Sequence, residues 1–479
     1  MCGNYFYPIK VTFTLILLLF LQWKFAAFRK PEVKFKQFNL EKNDDYIINP
    51  FRINIPESDL IELQKKLLTT RELPPSIKDV GFNYGANSEY LNKFIEYWKN
   101  EYNWRDRERY LNQLPQYITR ISGLNIHFIR VRPNETVAKG KTIIPILLIH
   151  GWLGSVSSFY KLILQLVKPK ESYDFVFEVI APSIPGSGFS EAPQIPGLDP
   201  VHVASIFHRL MYLVGHEKYY IHAADLGAHI GQAQALLYPE WIKGYHSNIC
   251  ITGGLVPIVA WYMAIEFPSL FVEEERVNNI LEGAGESAQE ASYFMLNVNN
   301  PDSIGIGLTD SPAGFAAMMI DRIATLSNYG MKNRSDGGLE SFDKNELLDT
   351  IMTYWLTKSI TPSVRWWKET FLLKDTAYMK GTITWRNVEI PSSCSWFKRE
   401  PAFLPRFALQ YAFDYLVSIR YHDEGGRYPA ITHPHLLADD LWLFANESKT
   451  IIKKSPKKDN IFRYFNIIVL IAEVWYNNV

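Results

Sequence analysis

The feature that most constrains the fold is an alternation of short apolar runs with helical segments between residues 143 and 237. The apolar runs have the length and composition of buried strands, at 143–149, 175–180 and 219–223. The intervening segments have helical character, at about 157–167, 203–213 and 227–237. Strands that are buried on both faces and joined by helices form a mostly parallel sheet. The sequence therefore predicts an α/β fold with helices on both faces of the sheet.

Composition limits the partners of this fold. The chain has 479 residues and 47% hydrophobic residues, which is enough to bury a large core. Lys plus Arg equals Asp plus Glu at 50 each, and no basic stripe interleaved with aromatic residues occurs. Nucleic acid is therefore not an expected partner.

The three cysteines, Cys2, Cys250 and Cys394, lie far apart in the sequence. Their spacing matches neither a disulfide framework nor a set of metal ligands. The sequence thus predicts no disulfide, no metal and no cofactor, and it favours a reducing compartment.

The amino terminus differs from the rest of the chain because it contains a long uncharged apolar run. The run VTFTLILLLFLQW at 11–23 contains no charged residue, and the heavier positive charge, Lys24, Arg29 and Lys30, follows it. By the positive-inside rule this pattern predicts a membrane anchor within residues 1–30 that holds the following body on the cytosolic side. A cleaved signal peptide and a buried helix remain alternatives. With a cytosolic body, the glycosylation sequons at Asn134, Asn333 and Asn446 are chance matches.

Residues 49–133 form a region of their own. Leucines and aromatic residues recur on one face at 56–73 and again at 88–102, which predicts two amphipathic helices. The segment 117–133 alternates with period two around a Ser-Gly turn and predicts a β-hairpin.

The turn at Asp225 is the most informative local motif. It joins a predicted strand to a predicted helix in the sequence AADLGA, with small residues at Ala223, Gly227 and Ala228. A nucleophile elbow needs such small neighbours because its backbone is strained and tightly packed. A carboxylate at this position attacks a carbon atom and is itself alkylated, rather than accepting an acyl group. An ordinary helix cap by Asp225 is the alternative.

Two loops are predicted to meet Asp225 at the ends of the strands. In HGWLG, at 150–154, the backbone N–H of Trp152 joins that of Leu226 as a predicted oxyanion hole. His150 in this motif is expected to shape the turn, with a catalytic role as the alternative. The loop PSIPGSGFS at 182–190 lies at the same edge of the sheet.

With these motifs the sequence resembles the α/β-hydrolase superfamily, and within it the microsomal epoxide hydrolases, which include the juvenile hormone epoxide hydrolases of insects. The resemblance extends from about residue 49 to 444 and includes the lid stretch NPDSIGIGLTDSPAGFAA at 300–317. It implies an α/β-hydrolase domain at 134–444 with a helical lid at about 255–375. It also implies an anchor in the endoplasmic reticulum membrane. A basic linker and an apolar tail at 445–479 follow the end of the resemblance, and the tail is either an amphipathic surface helix or a sequence foreign to the family.

The family reaction implies roles for five side chains. Asp225 would attack the epoxide while lid tyrosines protonate its oxygen, and a histidine oriented by an acid would then activate water against the ester. Tyr293 in SYFMLNVNNPDS matches the first lid tyrosine, and Glu400 in FKREP matches the orienting acid. A core tyrosine and a solvated surface charge are the respective alternatives.

Two positions depart from the family pattern. Trp367 in RWWKE stands where the second lid tyrosine is expected, and an indole N–H cannot act as a proton acid. Arg427 follows the Gly pair in YHDEGGRYPA, where the histidine base is expected. An arginine stays protonated and cannot accept a proton from water. We expect Arg427 instead to form bidentate contacts with Asp225 and Glu400.

The resemblance therefore leaves the activity open between two hypotheses. The first is an epoxide hydrolase for lipophilic terpenoid or xenobiotic epoxides, with impaired turnover unless His422 or His433 replaces the base. The second is a catalytically inactive protein that binds a lipophilic ligand. An acyl hydrolase has little support, because no Ser or Cys occupies the elbow.

Overall fold

The computed structural model of the protein describes residues 46–251, 255–371 and 386–451. The predicted anchor at 1–30 and most of the predicted tail lie outside these residues. Within the described part of the chain, no helix has both the length and the apolar character that crossing a membrane requires.

The described strands form one nine-stranded sheet in the order β1-β2-β3-β5-β4-β6-β7-β8-β9. The strands are β1 (Asn49–Phe51), β2 (Gln116–Ile121), β3 (Leu124–Val131), β4 (Thr142–Ile149), β5 (Phe175–Pro182), β6 (Tyr219–Ala223), β7 (Ile242–Ser247), β8 (Val388–Phe397) and β9 (Phe413–His422). Neighbouring strands from β5 to β9 are parallel, whereas β1, β2 and β3 pair antiparallel at one edge. The predicted parallel sheet and the predicted hairpin are both confirmed.

Helices cover both faces of this sheet. In the first part of the chain they are α1 (Glu57–Leu68), α2 (Ser88–Asn100), α3 (Trp104–Leu111), α4 (Glu135–Ala138), α5 (Tyr160–Leu166), α6 (Pro200–Leu213) and α7 (Gly227–Leu237). After β7 come α8 (Leu255–Glu266), α9 (Pro268–Phe271), α10 (Val277–Asn299), α11 (Pro301–Asp310), α12 (Pro312–Ser327), α13 (Lys344–Leu356) and α14 (Ile360–Phe371). The last three are α15 (Arg406–Ala412), α16 (Pro429–Thr432) and α17 (Pro434–Ile451).

The central strands are mainly apolar and buried, with Glu178 in β5 and His222 in β6 as buried polar exceptions. Every residue of β5 and of β6 is buried, as expected for strands that have helices on both sides. The apolar side chains divide into two clusters of buried residues. All six strands from β4 to β9 point their carboxyl ends at one edge of the sheet, and this edge carries the predicted site loops.

The two amphipathic helices predicted near the amino terminus are α1 and α2. The Asn87 side chain caps α2 by accepting hydrogen bonds from the backbone N–H groups of Glu89 and Tyr90. Tyr97 on the same helix donates to Asn345 Oδ1 at 3.0 Å, which ties this region to the helices that follow β7.

Residues 255–371 form a helical insertion between β7 and β8. Tyr354 in α13 donates a hydrogen bond to the carbonyl oxygen of Gly154 at 2.8 Å. Trp366 in α14 donates to the carbonyl oxygen of Pro185 at 2.9 Å. The insertion is thus held over the loops that follow β4 and β5, at the edge of the sheet where Asp225 lies.

Candidate functional site

Asp225 lies on a strained turn between β6 and α7. Its φ angle is +47°, in the left-handed region that Asp tolerates better than most residues. A Cβ atom at Gly227 would lie 2.2 Å from the carbonyl oxygen of His150, so this position requires glycine. The turn has the positive φ and the tight packing predicted for a nucleophile elbow, and Asp225 lines a cavity.

The loop after β4 contributes a donor to this carboxylate. The backbone N–H of Trp152 donates to Asp225 Oδ2 at 2.9 Å. The carbonyl oxygen of Trp152, in the next peptide unit, accepts a hydrogen bond from the Tyr428 hydroxyl at 3.2 Å and anchors the loop on its other side. Leu226, the other predicted member of the oxyanion hole, lines the same cavity.

Arg427 bridges the two acidic residues of the site. Its Nη1 donates to Asp225 Oδ1 at 3.0 Å, and its Nε donates to Glu400 Oε2 at 2.8 Å. Its Nη2 donates to Glu400 Oε1 at 2.5 Å, so the contact with Glu400 is bidentate. The guanidinium lies between the two carboxylates, as the resemblance implied, but its contact with Asp225 is a single hydrogen bond and not the bidentate contact expected.

The position of Arg427 is also fixed through its backbone. Its N–H donates to the carbonyl oxygen of Leu326 at 3.2 Å, and its carbonyl oxygen accepts from Asn248 Nδ2 at 3.0 Å. Burial alone would lower the pKa of Arg427, but the Glu400 and Asp225 carboxylates together raise it above its ordinary value. Arg427 is therefore a permanent cation and does not accept protons.

The two lid positions singled out from the sequence, Tyr293 and Trp367, both line the cavity with Asp225. The Tyr293 hydroxyl contacts Met318 Sδ at 3.2 Å, and burial raises the pKa of Tyr293. The Trp367 ring packs edge-on against Trp152, with 5.3 Å between the ring centroids. The buried indole N–H of Trp367 has no hydrogen-bond partner among the described residues.

The two histidines that could have replaced the base are engaged elsewhere. His422 Nε2 lies 2.7 Å from Asp440 Oδ2, and its ring stacks on Phe397. His433 Nδ1 lies 2.9 Å from Thr432 Oγ1. Neither histidine belongs to the residues that line the cavity.

His150 shapes the loop after β4, as predicted. Its Nδ1 contacts the carbonyl oxygen of Gly151 at 2.8 Å, and its Nε2 accepts the backbone N–H of Ile184 at 3.1 Å. Burial lowers the pKa of His150 to about 4, so the imidazole is neutral at physiological pH.

Sequence reasoning missed His229 and Arg322, which both line the cavity. His229 lies in α7 one turn after Asp225, a spacing that could have identified it, and burial lowers its pKa to about 3. Arg322 lies in α12, with its guanidinium carbon 4.4 Å from the centre of the Tyr293 ring. Only tertiary packing brings Arg322 to the site.

The cavity has a volume of about 650 Å³, and its walls are mainly apolar. Its charged and polar lining groups are Asp225, His229, Arg322 and Arg427, beside the indole and phenol groups of the aromatic residues. An apolar cavity with a few convergent polar groups is typical of a site for a small lipophilic ligand.

The cysteines differ from the sequence prediction. Cys250, which lines the cavity, forms a disulfide with Cys394 in β8, 144 residues further along the chain. The prediction of no disulfide is wrong because the parallel pairing of β7 with β8 places Ser247 opposite Cys394, so that the loop after β7 returns Cys250 to the same point.

Comparisons with known proteins agree with this architecture. Residues 48–159 match the family described as epoxide hydrolase N terminus, and residues 144–266 match the alpha/beta hydrolase fold. The juvenile hormone epoxide hydrolase of Bombyx mori is 37% identical over 415 residues, which is 86% of this chain and 87% of that protein. Epoxide hydrolase 1 of Sus scrofa is 36% identical over 409 residues, which is 84% of this chain and 89% of that protein.

Solved structures extend the similarity to the fold. The crystal structure of the Bombyx mori juvenile hormone epoxide hydrolase superposes with a TM-score of 0.82 and covers 87% of this chain and 98% of that chain. The epoxide hydrolase of Aspergillus niger superposes with a TM-score of 0.70 at 25% identity and covers 86% of this chain and 100% of that chain. The chain therefore belongs to the epoxide hydrolase family and has the α/β-hydrolase fold.

Proposed function

We propose that the protein binds a lipophilic epoxide or a related terpenoid in the cavity above Asp225, and that its turnover of epoxides is strongly impaired. The observation that carries this proposal is the position of Arg427, which contacts both Asp225 and Glu400 through hydrogen bonds. The helical insertion, residues 255–371, acts in this proposal as the lid that closes over the ligand.

The chemistry of the ligand follows from the cavity walls. Their mainly apolar surface suits a hydrocarbon chain or ring system, whereas the donors suit one or two oxygen acceptors. Three of the five N–H donors of the Arg427 guanidinium bind carboxylates, so two remain. Together with the unpartnered indole N–H of Trp367, they can donate to an ether or ester oxygen.

Formation of the alkyl-enzyme ester is slowed at Asp225. Both carboxylate oxygens accept hydrogen bonds, from Arg427 and from the Trp152 N–H. These contacts stabilise the carboxylate before attack and lower its nucleophilicity. Tyr293 is the acid in this step, and Trp367 contributes a hydrogen bond but no proton.

Hydrolysis of that ester is slowed further, because the step needs a base where Arg427 stands. Loss of the base from a coupled catalytic set lowers the rate by about a thousandfold to a millionfold, or about 4 to 8 kcal/mol of barrier. The backbone donors of Trp152 and Leu226 would still stabilise an oxyanion. An ester that forms in the wild-type protein should therefore persist.

A second candidate is a binding protein with no epoxide chemistry, which is favoured by the hydrogen bonds on both oxygens of the Asp225 nucleophile. His229 has its pKa lowered to about 3, which makes it a weak base towards water. In this case the ligand leaves unchanged.

The substitution Arg427→His tests the proposal. We expect diol formation from a lipophilic epoxide to rise by at least a hundredfold, because a neutral imidazole beside Glu400 can accept a proton from water. Arg427→Lys is the matched control, since it keeps the positive charge and should stay as slow as the wild type. Product is measured by chromatography of the epoxide and the diol.

Intact mass after epoxide treatment separates the two candidates. Impaired turnover predicts an adduct on the wild-type protein that is absent from the Asp225→Asn variant, and pure binding predicts no adduct. Fast diol formation by the wild-type protein would refute both. We also propose that residues 1–30 hold the protein at the endoplasmic reticulum membrane, which carbonate extraction of microsomes tests against a variant without these residues.

A further inference from the structure

A disulfide joins the loop after β7 to strand β8 beside the ligand cavity. Cys250 and Cys394 are 2% and 0% exposed, and their Cα atoms lie 5.8 Å apart. Of the two, Cys250 lines the cavity, together with its neighbours Ile249 and Ile251. A small reductant that enters the cavity would therefore meet the disulfide at Cys250.

The disulfide lies at the point where the chain enters the helical insertion. Helix α8, the first helix of the insertion, begins at Leu255, five residues after Cys250. Cys394 lies within the sheet, where it pairs with Ser247 of β7 on one side and with Ile419 of β9 on the other. The bond thus ties residues 248–251, which we call the lid hinge, to the middle of the sheet.

The same segment contacts the backbone on both sides of the site. The Asn248 side chain donates to the carbonyl oxygen of Arg427 at 3.0 Å. The hydroxyl of Ser247, just before the lid hinge, donates to the carbonyl oxygen of Ala223 at 2.7 Å. Ala223 is two residues before Asp225. Movement of the lid hinge would therefore reach Arg427 and Asp225 as well as the cavity wall.

The predicted location of the protein makes this bond conditional. The positive charges after the apolar run at 11–23 predict a body on the cytosolic side of the membrane, where thiols are kept reduced. Disulfides in cytosolic proteins are usually transient, and they serve catalysis or redox sensing. The Cys250–Cys394 pair takes no part in the chemistry proposed at Asp225, which leaves redox sensing.

We propose that the Cys250–Cys394 disulfide is a redox switch that controls how tightly the cavity retains a lipophilic ligand. The inference rests on the ligand binding of the proposed function. With the disulfide formed, the lid hinge is held against β8 and the ligand is retained. With the disulfide reduced, the lid hinge loosens and the ligand is released.

Reduction needs a low-molecular-weight thiol as co-reactant. Its thiolate attacks the Cys250 sulfur, the bond between the two cysteine sulfurs breaks, and the departing Cys394 thiolate takes up a proton. A second thiol molecule then displaces Cys250 as a free thiol, and the two small molecules leave as their own disulfide. The protein thereby gains two electrons and two protons.

The test uses the full chain with Cys2→Ser, which removes the third cysteine of the sequence. Oxidised protein and protein reduced by glutathione are titrated with the neutral fluorescent probe N-phenylnaphthylamine. We expect the oxidised protein to bind the probe at least about fivefold more tightly, the lower end of typical coupling between two sites. Because this coupling is reciprocal, bound probe should shift the cysteines towards the disulfide at a fixed ratio of reduced to oxidised glutathione, as measured by maleimide labelling.

The matched control replaces both Cys250 and Cys394 with alanine. This variant should bind the probe as the reduced protein does, with no response to glutathione. Hydrogen exchange gives a readout that needs no ligand, because amides of the lid hinge and of α8 should exchange faster in the reduced protein.

Three results would overturn the switch. They are equal probe affinity in the two redox states, equal hydrogen exchange of the lid hinge, and cysteines that react with maleimide in the denatured protein without prior reduction. Equal affinity would leave the proposed function standing, whereas failure of the probe to bind in either state would refute the proposed ligand binding and the switch with it. The Arg427→His experiment is separate, because it measures diol formation.

Discussion

Arg427 lies at the centre of a buried network of two ion pairs, one with Asp225 and one with Glu400. Its side chain is 13% exposed, and those of Asp225 and Glu400 are 8% and 1% exposed. Charges removed from water in this way are tolerated because each has a partner of opposite sign. The same residue that prevents base catalysis therefore also neutralises two carboxylates that would otherwise be close and unpaired.

Removal of this charge should destabilise the protein. In Arg427→Met, the buried Asp225 and Glu400 carboxylates lose their partner, and we expect the free energy of unfolding at pH 7 to fall by about 3–5 kcal/mol. In a background of Asp225→Asn and Glu400→Gln, the same substitution should cost less, because no negative charge is left unpaired. Denaturant unfolding measures both differences, and an equal loss in the two backgrounds would contradict this reading.

At the scale of elements, the packing of the helical insertion over the sheet determines the cavity. Helix α11 crosses α14 at Gly305, where an added Cβ atom would lie 2.8 Å from the Cα atom of Thr361. Two residues further along α11, Gly307 has no atom within 4 Å of the corresponding position. The same helix thus offers one packed and one open glycine.

These two glycines give a matched test of the lid packing. Gly305→Ala should force α11 away from α14 and lower the free energy of unfolding by about 1–3 kcal/mol. Gly307→Ala should raise it by about 0.4–1 kcal/mol, because alanine restricts the unfolded chain and fits the exposed helix. Thermal and denaturant unfolding measure both effects. A stabilising Gly305→Ala would mean that the two helices do not touch at this point.

Local pattern determined much of what could be predicted at this scale. The apolar runs became β4, β5 and β6, and the small residues around Asp225 identified a turn that the structure forms with a positive φ. The contacts of Arg427 were predictable only through the family resemblance, which implied that its position faces Asp225 and Glu400. The Cys250–Cys394 pair and the approach of Arg322 were not, since each depends on the pairing of elements distant in sequence.

Across the whole molecule, several histidines are buried in a neutral state. His127, His150, His222 and His246 are at most 2% exposed. Burial lowers the pKa of His127 and His222 to about 3, lowers that of His150 to about 4, and lowers that of His246 as well. In the unfolded chain these side chains have a pKa of about 6.5.

The sign of the resulting pH dependence follows from proton binding. Below a pH of about 6.5 the unfolded chain binds protons that the folded protein excludes, so stability falls as the pH is lowered towards 4. The shifts of His127, His150 and His222 should each lower the free energy of unfolding by about 2 kcal/mol at pH 5, and that of His246 acts in the same direction. Asp321 acts in the opposite direction, because burial raises its pKa to about 6 and the folded protein then binds a proton. It offsets about 1 kcal/mol at pH 5.

These shifts predict that the free energy of unfolding falls as the pH is lowered from 7 to 5. Replacement of one buried histidine tests this origin, because His222→Gln removes one proton from the difference between the folded and unfolded states. The slope of unfolding free energy against pH, measured by denaturant titration between pH 7 and 5, should decrease by about 1 kcal/mol per pH unit. The exposed His435→Gln is the control and should leave the slope unchanged. An unchanged slope in His222→Gln would assign the acid sensitivity to other groups.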